Sequence, residues 1–364
     1  MMSFFPSKTL SLYLMRLFVT RILAVLLMLV LVLQMLDLLG ESGKILAYPG
    51  NGEHEVWIYV SLRVPQLIAR FLPYSALLAT IITLVSLNQN SEVIAMKAAG
   101  LSAHQVLAPL ILAALAVSIT SFAFNERVVS RASSTLKAWQ AAEFGPLPKG
   151  AVPRINVYLP DGPNILNAGT ISGEGAQMRM GNVTWYRRDP QGRVVEQWRS
   201  ALATYANPGW RLEAPQRFEV DSVTQGPAAP ITVAPGVTPA EVMISTVDAD
   251  GENIVQLARS IQAVKAAGRR TNALSGKFWH KISGPLSALL MPLLGAVAAF
   301  GLARSGQLWI RAVTGMALGF TYFVIDNAAI SMGDFGGYPP LVAAWAPFLL
   351  FLLIGETVLI RTEE

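Results

Sequence analysis

Apolar positions along the chain follow two different patterns. In the first, apolar runs of about 20 residues, the length a helix needs to cross a bilayer, occupy positions 19–39, 56–87, 103–125, 280–303, 310–331 and 339–360. They predict six transmembrane helices, three on each side of a region with another grammar. The second run is charge-free only from Phe71 to Leu87, and its first half carries Arg63, Pro65, Arg70 and Pro73, which predicts a bent helix. In the intervening region, short alternating runs at Arg154 to Leu159, Val183 to Arg188, Arg193 to Trp198, Ala203 to Tyr205, Trp210 to Glu213 and Arg217 to Val220 read as strands. Asp189-Pro190-Gln191-Gly192 and Asn207-Pro208-Gly209 supply the turn signals between them. Closely spaced short strands predict an all-β, jelly-roll-like domain. From Glu252 to Ala267 the period becomes helical, with Asp248 or Asp250 as the expected cap. The expected division is therefore 1–130 with helices 1–3, 131–275 with the β domain and its helical return at 252–267, and 276–364 with helices 4–6.

Composition agrees with a membrane protein: 53% of the 364 residues are hydrophobic and 14% are charged, against about 25% charged in soluble domains. The formal charge of +5 is spread thinly, and like charges run no longer than Arg187-Arg188 and Arg269-Arg270, which excludes a nucleic-acid stripe. There is no cysteine, so disulfides, thiolate metal sites and cysteine nucleophiles are absent. The first apolar run follows Lys8, Arg16 and Arg21 without a small-residue cleavage site and reads as a retained anchor. Those cations, with Arg304, Arg311 and Arg361, put both termini and the turn between the fourth and fifth spans on the cytoplasmic side, and the β domain outside. Catalytic signatures fail: His54-Glu55 lacks a second histidine at Ile58, and Gly43-Lys44 and Gly276-Lys277 lack the Ser or Thr of a phosphate loop.

Segment 88–103, on the cytoplasmic side, encodes one short helix. Asn90 or Ser91 is the expected cap, Glu92 sits in the first turn, Lys97 sits near the end, and Gly100 supplies a left-handed stop. Val93, Ile94 and Met96 give it an apolar side that lies on lipid or docks on another protein. Charges within spans are expensive and invite a functional reading. Arg127 and Arg131, four apart at the outer end of span three, share a face that forks onto phosphates, snorkels to the interface, or pairs with Glu126. Arg63 and Arg70 form a second basic pair, seven apart in span two, and Gln34, Asp37 and Lys44 lie toward the outer end of span one. Asp326, deep in span five, is expected to line a cavity, with Leu31, Met35, Phe320 and Phe323 as apolar walls.

The segment Asn90 to Ser102, the three-plus-three layout, the strands around Asp189 to Gly192 and Gly209-Trp210-Arg211-Leu212-Glu213, and the closing stretch from Pro339-Pro340 to Pro347 together resemble the lipopolysaccharide-export permeases, the LptF/LptG family. The resemblance covers essentially the whole chain, and Asp37-Leu38 and the tail lean towards the LptG branch. It implies a membrane α-helical permease with an inserted periplasmic β domain in the bacterial inner membrane, exporting lipopolysaccharide. It further implies pairing with a paralogous permease (LptF), an ATPase dimer (LptB) that alone holds ATP and magnesium, a single-span partner (LptC) and a periplasmic bridge (LptA). In that family the short helix docks into the ATPase through an acidic residue matching Glu92, and Ser91, Val93, Met96 and Gly100 complete the coupling site. Span one of the family carries lysines near positions 34 and 41, where this chain has Gln34 and Glu41, so phosphate contacts are expected at Lys44 or the arginines. Rival readings are a membrane scaffold that only anchors a partner-recruiting β domain, and a lipid-modifying enzyme using Asp37, Asp326 or Glu356 as acids.

Overall fold

The computed structural model describes residues 6–146, 154–173, 175–245, 247–266, 268–300 and 308–363. The chain divides into two compact units: a helical one of Met1–Glu41, Val60–Ala132 and Ala249–Glu364, and a second of Ser42–Tyr59 and Ser133–Asp248. Helices α1 (Lys8–Ala47), α2 (Glu53–Gln89), α3 (Glu92–Ala98), α4 (Ala103–Phe124) and α5 (Ser130–Ala141) precede the sheet. Helices α6 (Pro239–Ser245), α7 (Ile254–Ala266), α8 (Asn272–Phe300), α9 (Leu308–Asp334) and α10 (Pro340–Glu363) follow it. Among the described residues, five helices are long and apolar enough to span a membrane: α1, α2, α4 running on into α5, α9 and α10. The chain is thus a multi-pass membrane protein. The run expected to span at 280–303 forms α8, but Lys277, His280 and Lys281 dilute its described apolar stretch, and its expected end lies outside the described residues.

Helix α1 has 40 residues, about 60 Å at 1.5 Å per residue, twice a hydrocarbon core. Helix α2 runs unbroken through Pro65 and Pro73. One hydrophobic core joins α1, α2, α3, α4, α8, α9 and α10, with Leu14, Phe18, Leu77, Leu84, Val106, Leu290 and Tyr322 almost fully buried. Small residues let backbones approach: a Cβ on Gly319 would lie 2.2 Å from a Leu77 methyl, and one on Gly295 2.5 Å from Thr80. Between α4 and α5 the helix widens into a π turn at Asn125–Val129.

Helix α7 confirms the expected period, but its cap differs. Asn253 forms a capping box with Gln256, accepting from the Gln256 N–H at 2.8 Å while Gln256 Oε1 accepts from Asn253 N at 3.2 Å. Asp248 and Asp250, the expected caps, instead bind Lys137 and Lys277. The α7 segment also belongs to the helical unit, not to the β unit as its placement at 131–275 anticipates. Glu126 accepts from Ile254 N at 2.6 Å, and Lys281 bonds the Glu252 carbonyl at 2.6 Å, which ties its start to α8 and the π turn.

In the second unit, strands β1 (Arg154–Asp161), β2 (Asn164–Ser172), β3 (Arg179–Arg188), β4 (Val194–Tyr205), β5 (Trp210–Glu213), β6 (Gln216–Glu219), β7 (Thr224–Pro227) and β8 (Ile231–Val233) form one antiparallel sheet. β5 and β6 pair with successive halves of β4, and β8 and β7 pair in turn with β5 and β6. The order therefore follows the chain from β1 to β5 and then branches, with β8 beside β5 on one arm and β6 and β7 beside β4 on the other. The two layers expected of a jelly roll have a simpler counterpart here, because this sheet turns a corner. Core-facing residues should fall at even intervals along a strand, yet the buried positions step by three: Ala168 to Ile171 in β2, Met180 to Val183 in β3, Ser200 to Ala203 in β4. Parity switches along a line crossing three strands, where Asn182 adopts φ 50, as at the corners where strands bend from one packed layer to another. Gly169 is demanded there, since a Cβ would sit 2.8 Å from Asn182 Cβ. Leu166, Met180, Trp210, Leu212 and Val242 fill the resulting core, and the Trp210 indole donates to the Val237 carbonyl at 2.8 Å.

Candidate functional site

Two places in the helical unit gather the residues with chemistry. The first is α3. Its stop is as expected: Gly100 at φ 84 closes a Schellman motif in which Leu101 N bonds Met96 O at 3.1 Å and Gly100 N bonds Lys97 O at 3.0 Å. Its start is not. Ser91 adopts φ 60 and makes no side-chain cap, so the predicted N-cap bond is missing; the left-handed backbone turns its hydroxyl away from the first free N–H groups. Ser102 serves instead as the cap of α4, in a capping box with Gln105. Val93 and Met96, expected on a docking side, are buried in the chain's own core, while Ile94 is 63% exposed on the opposite side. Glu92 accepts a hydrogen bond from the Tyr13 hydroxyl of α1 at 3.1 Å. Sequence reading missed that partner because 79 residues separate the two.

The second place is the run of charges along α1, α2, α8, α9 and the π turn. Arg63, expected to meet phosphates, is already engaged: its Nε donates to Asp37 Oδ2 at 2.5 Å, Nη2 to Asp37 Oδ1 at 3.2 Å, and Nη1 to Gln66 Oε1 at 3.0 Å. The fork satisfies the guanidinium with one carboxylate, so Arg63 and Asp37 act as a pair. Arg70, two turns further along the same face of α2, is exposed and has no hydrogen bond or ion pair among the described residues. Gln34, one turn before Asp37, is only 6% exposed, and neither amide atom has a partner among the described residues, an uncommon state for a buried amide. Lys44 is exposed and belongs to the other unit.

Asp326 is buried and bonded to His280 Nε2 of α8 at 3.0 Å. The histidine stands among lysines at the start of the α8 apolar run, and pairing it with Asp326 needed the α8–α9 register. Phe323, expected as an apolar wall, is buried and stacks on Tyr74 with centroids 3.9 Å apart; only Phe320, Leu31 and Met35 of the four wall residues remain well exposed. Arg127 lies exposed within the π turn and Arg131 just beyond it. Glu126, offered as their partner, instead pairs with Lys281 at 3.6 Å.

Comparison with known proteins decides the family. Residues 12–361 match the lipopolysaccharide export system permease LptF/LptG. The chain belongs to that family. Among its relatives, the lipopolysaccharide export system permease protein LptG of Escherichia coli K12 is 25% identical over 323 residues, covering 86% of this chain and 88% of the relative. The LptG of Haemophilus influenzae is 23% identical over 324 residues, covering 86% and 89%. The family supports a role in lipopolysaccharide export, and the names of these relatives agree with the LptG resemblance seen in the sequence. Within this LptF/LptG chain, Arg70 is an exposed cation midway along α2 and Arg127 one in the π turn after α4, and the exposed apolar side chains of α1 and α9 stand on helices that are largely uncovered by the chain itself.

Proposed function

We propose that this chain is the permease subunit of an ATP-driven exporter that lifts lipopolysaccharide from the outer leaflet of the inner membrane and passes it outward through a periplasmic β unit. The observation that carries the reading is the two-sidedness of α3. Its inner side, Val93 and Met96, is fixed in the core between spans, and its outer side presents Ile94 beside Lys97. A seven-residue helix held this way transmits a push on its outer side directly to α1, α2 and α4. The source of the push is a separate ATPase of the LptB type, which holds the ATP and magnesium. Arg70 and Arg127 supply charge-assisted contacts for lipid phosphates, while Leu31, Met35 and Phe320 meet acyl chains. A paralogous permease of the LptF type completes the cavity, LptC joins the assembly, and an LptA-like bridge adds to the open edge of the sheet, whose first strand β1 pairs only with β2 among the described residues. Both termini then face the cytoplasm.

Tagged chain purified from its native membrane, with bound proteins and lipids identified by mass, tests this. An ATPase and lipopolysaccharide should co-purify, and Ile94→Asp should release the ATPase while leaving the helical unit folded, because Ile94 is not part of the core. Absence of any ATPase from the wild-type chain would leave a membrane scaffold as the better account.

A further inference from the structure

The half of the sheet beyond the corner carries a feature that neither core packing nor lipid transfer uses. On the face of β4, β6 and β7 opposite Glu196 and Trp198, a cavity of about 220 Å³ is lined by Gln197, Arg199, Gln216, Phe218 and Gln225. Register puts these side chains together: Gln197 stands opposite Phe218, Arg199 opposite Gln216, and Phe218 opposite Gln225. Tyr186 of β3 stands opposite Gln197 on the same face. Phe218 belongs to neither hydrophobic core.

The polar side chains are already arranged in two bonded pairs. Gln225 Nε2 donates to Gln216 Oε1 at 2.8 Å. With its amide turned so that the oxygen faces the guanidinium, Gln197 accepts from Arg199 Nε at 2.8 Å and Nη2 at 3.0 Å. Each pair holds its members in place and leaves complementary groups over. At the first pair these are the amide N–H groups of Gln216 and the carbonyl oxygen of Gln225, donors beside an acceptor. At the second they are the amide N–H groups of Gln197 and the remaining guanidinium N–H groups of Arg199. A hydroxyl group both donates and accepts, so it matches the first pair; a carboxylate or further hydroxyl matches the second. Phe218, between them, offers a flat apolar surface to a ring's C–H groups.

We propose that this face of the β unit is a binding site for a single sugar ring, hydroxyls on the glutamines and an apolar face on Phe218. The volume is below the range of about 300–1,000 Å³ usual for drug-sized ligands, which limits the occupant to one ring at a time. The site goes beyond the export reading and does not depend on it.

The test uses the full chain in detergent with methyl glucoside, N-acetylglucosamine and galacturonate as soluble probes, read by saturation-transfer NMR from protein to ring protons. Wild-type chain should give ring-proton transfer with at least one probe at millimolar concentration. Phe218→Val and Gln216→Leu should each weaken it about tenfold, the effect of losing one contact of about 1.4 kcal/mol. Both positions face away from the β core, and unchanged tryptophan emission checks that the sheet is intact. Arg199→Ala serves as the second variant if either fails that check, and it should weaken galacturonate most. Competition by lipopolysaccharide carrying its core sugars, but not by the same lipid stripped to its anchor, would identify the exported glycan as the source; equal failure of both would identify a free sugar. No transfer with any probe, or transfer that survives all three substitutions, overturns the proposal, even if lipid export itself is upheld.

Discussion

Substitution at Arg63 separates a structural pair from a lipid ligand. Arg63→Ala removes both charge-assisted bonds to Asp37 and leaves a carboxylate only 25% exposed beside apolar neighbours. Hydrogen bonds to charged groups contribute about 1.5–3 kcal/mol each. Because water still reaches about a quarter of each side chain, the lower end applies, and the expected loss is about 2–4 kcal/mol. Replacing both residues, Arg63→Ala with Asp37→Ala, removes the charges together and should return stability to within about 1 kcal/mol of wild type. Steric trapping of the full chain in bicelles measures the four unfolding free energies of the cycle, with an expected coupling of about 2 kcal/mol. Photo-crosslinking to lipopolysaccharide from Arg70 and Leu31 positions, run on the same variants, should be unaffected in the double variant. If the double variant is as stable as expected but captures no lipid, or if Arg63→Ala costs no stability and abolishes capture, Arg63 is a phosphate ligand and the pairing argument fails.

Gly100→Ala forces a Cβ into the left-handed region, at about 1–2 kcal/mol, and should speed amide exchange across Glu92–Ala98; unchanged exchange would contradict the Schellman stop. Gly169→Ala should destabilise the β unit by about 1–3 kcal/mol, seen as an earlier tryptophan transition in denaturant, because its Cβ meets Asn182 at 2.8 Å; an unshifted transition would mean the corner is not tight. Glu196 carries a pH prediction. Burial opposes its ionisation, but the Trp198 indole at 3.0 Å, Arg217 at 2.6 Å and Arg187 at 2.5 Å outweigh burial and hold the carboxyl below its ordinary value. Its contribution is therefore complete above the unfolded value of about 4.3 and is lost as pH falls through the lower folded value. Trp198 emission should show the sheet weakening on acidification in the wild type, with a flatter acid limb in Glu196→Gln; parallel limbs in both chains would contradict this.

Elements with strong local signals were legible in the sequence, and elements set by distant contacts were not. The long apolar runs became α1, α2, α4, α9 and α10, and the turns were readable because their chemistry is local: Asp189 accepts from the Gln191 and Arg193 N–H groups through its own Oδ1. β2 was missed, since Asn164 to Ser172 mixes Gly, Asn and Thr among its apolar residues and only pairing with β1 and β3 on both sides makes it a strand. β4 read as two strands because Arg199 to Leu202 crosses the corner, where alternation breaks. At the candidate site, residue types were found and partners were not. Arg63, Glu92, Asp326 and Glu126 all drew notice as charges in or near spans, but Asp37, Tyr13, His280 and Lys281 are supplied by helices distant in sequence. Helix sidedness behaved likewise: the apolar side of α3 was visible, and which part of it turns inward depends on the neighbouring spans.

The export reading is tested most directly by moving labelled lipid. The chain, assembled with the proteins that co-purify with it, is placed in proteoliposomes containing labelled lipopolysaccharide and labelled phospholipid, and release to a soluble acceptor is followed with and without ATP. Lipopolysaccharide should leave only when ATP is hydrolysed, phospholipid should stay, and Ile94→Asp should abolish release. An assembly that hydrolyses ATP while lipopolysaccharide stays in the bilayer, or that releases both lipids alike, would contradict the account.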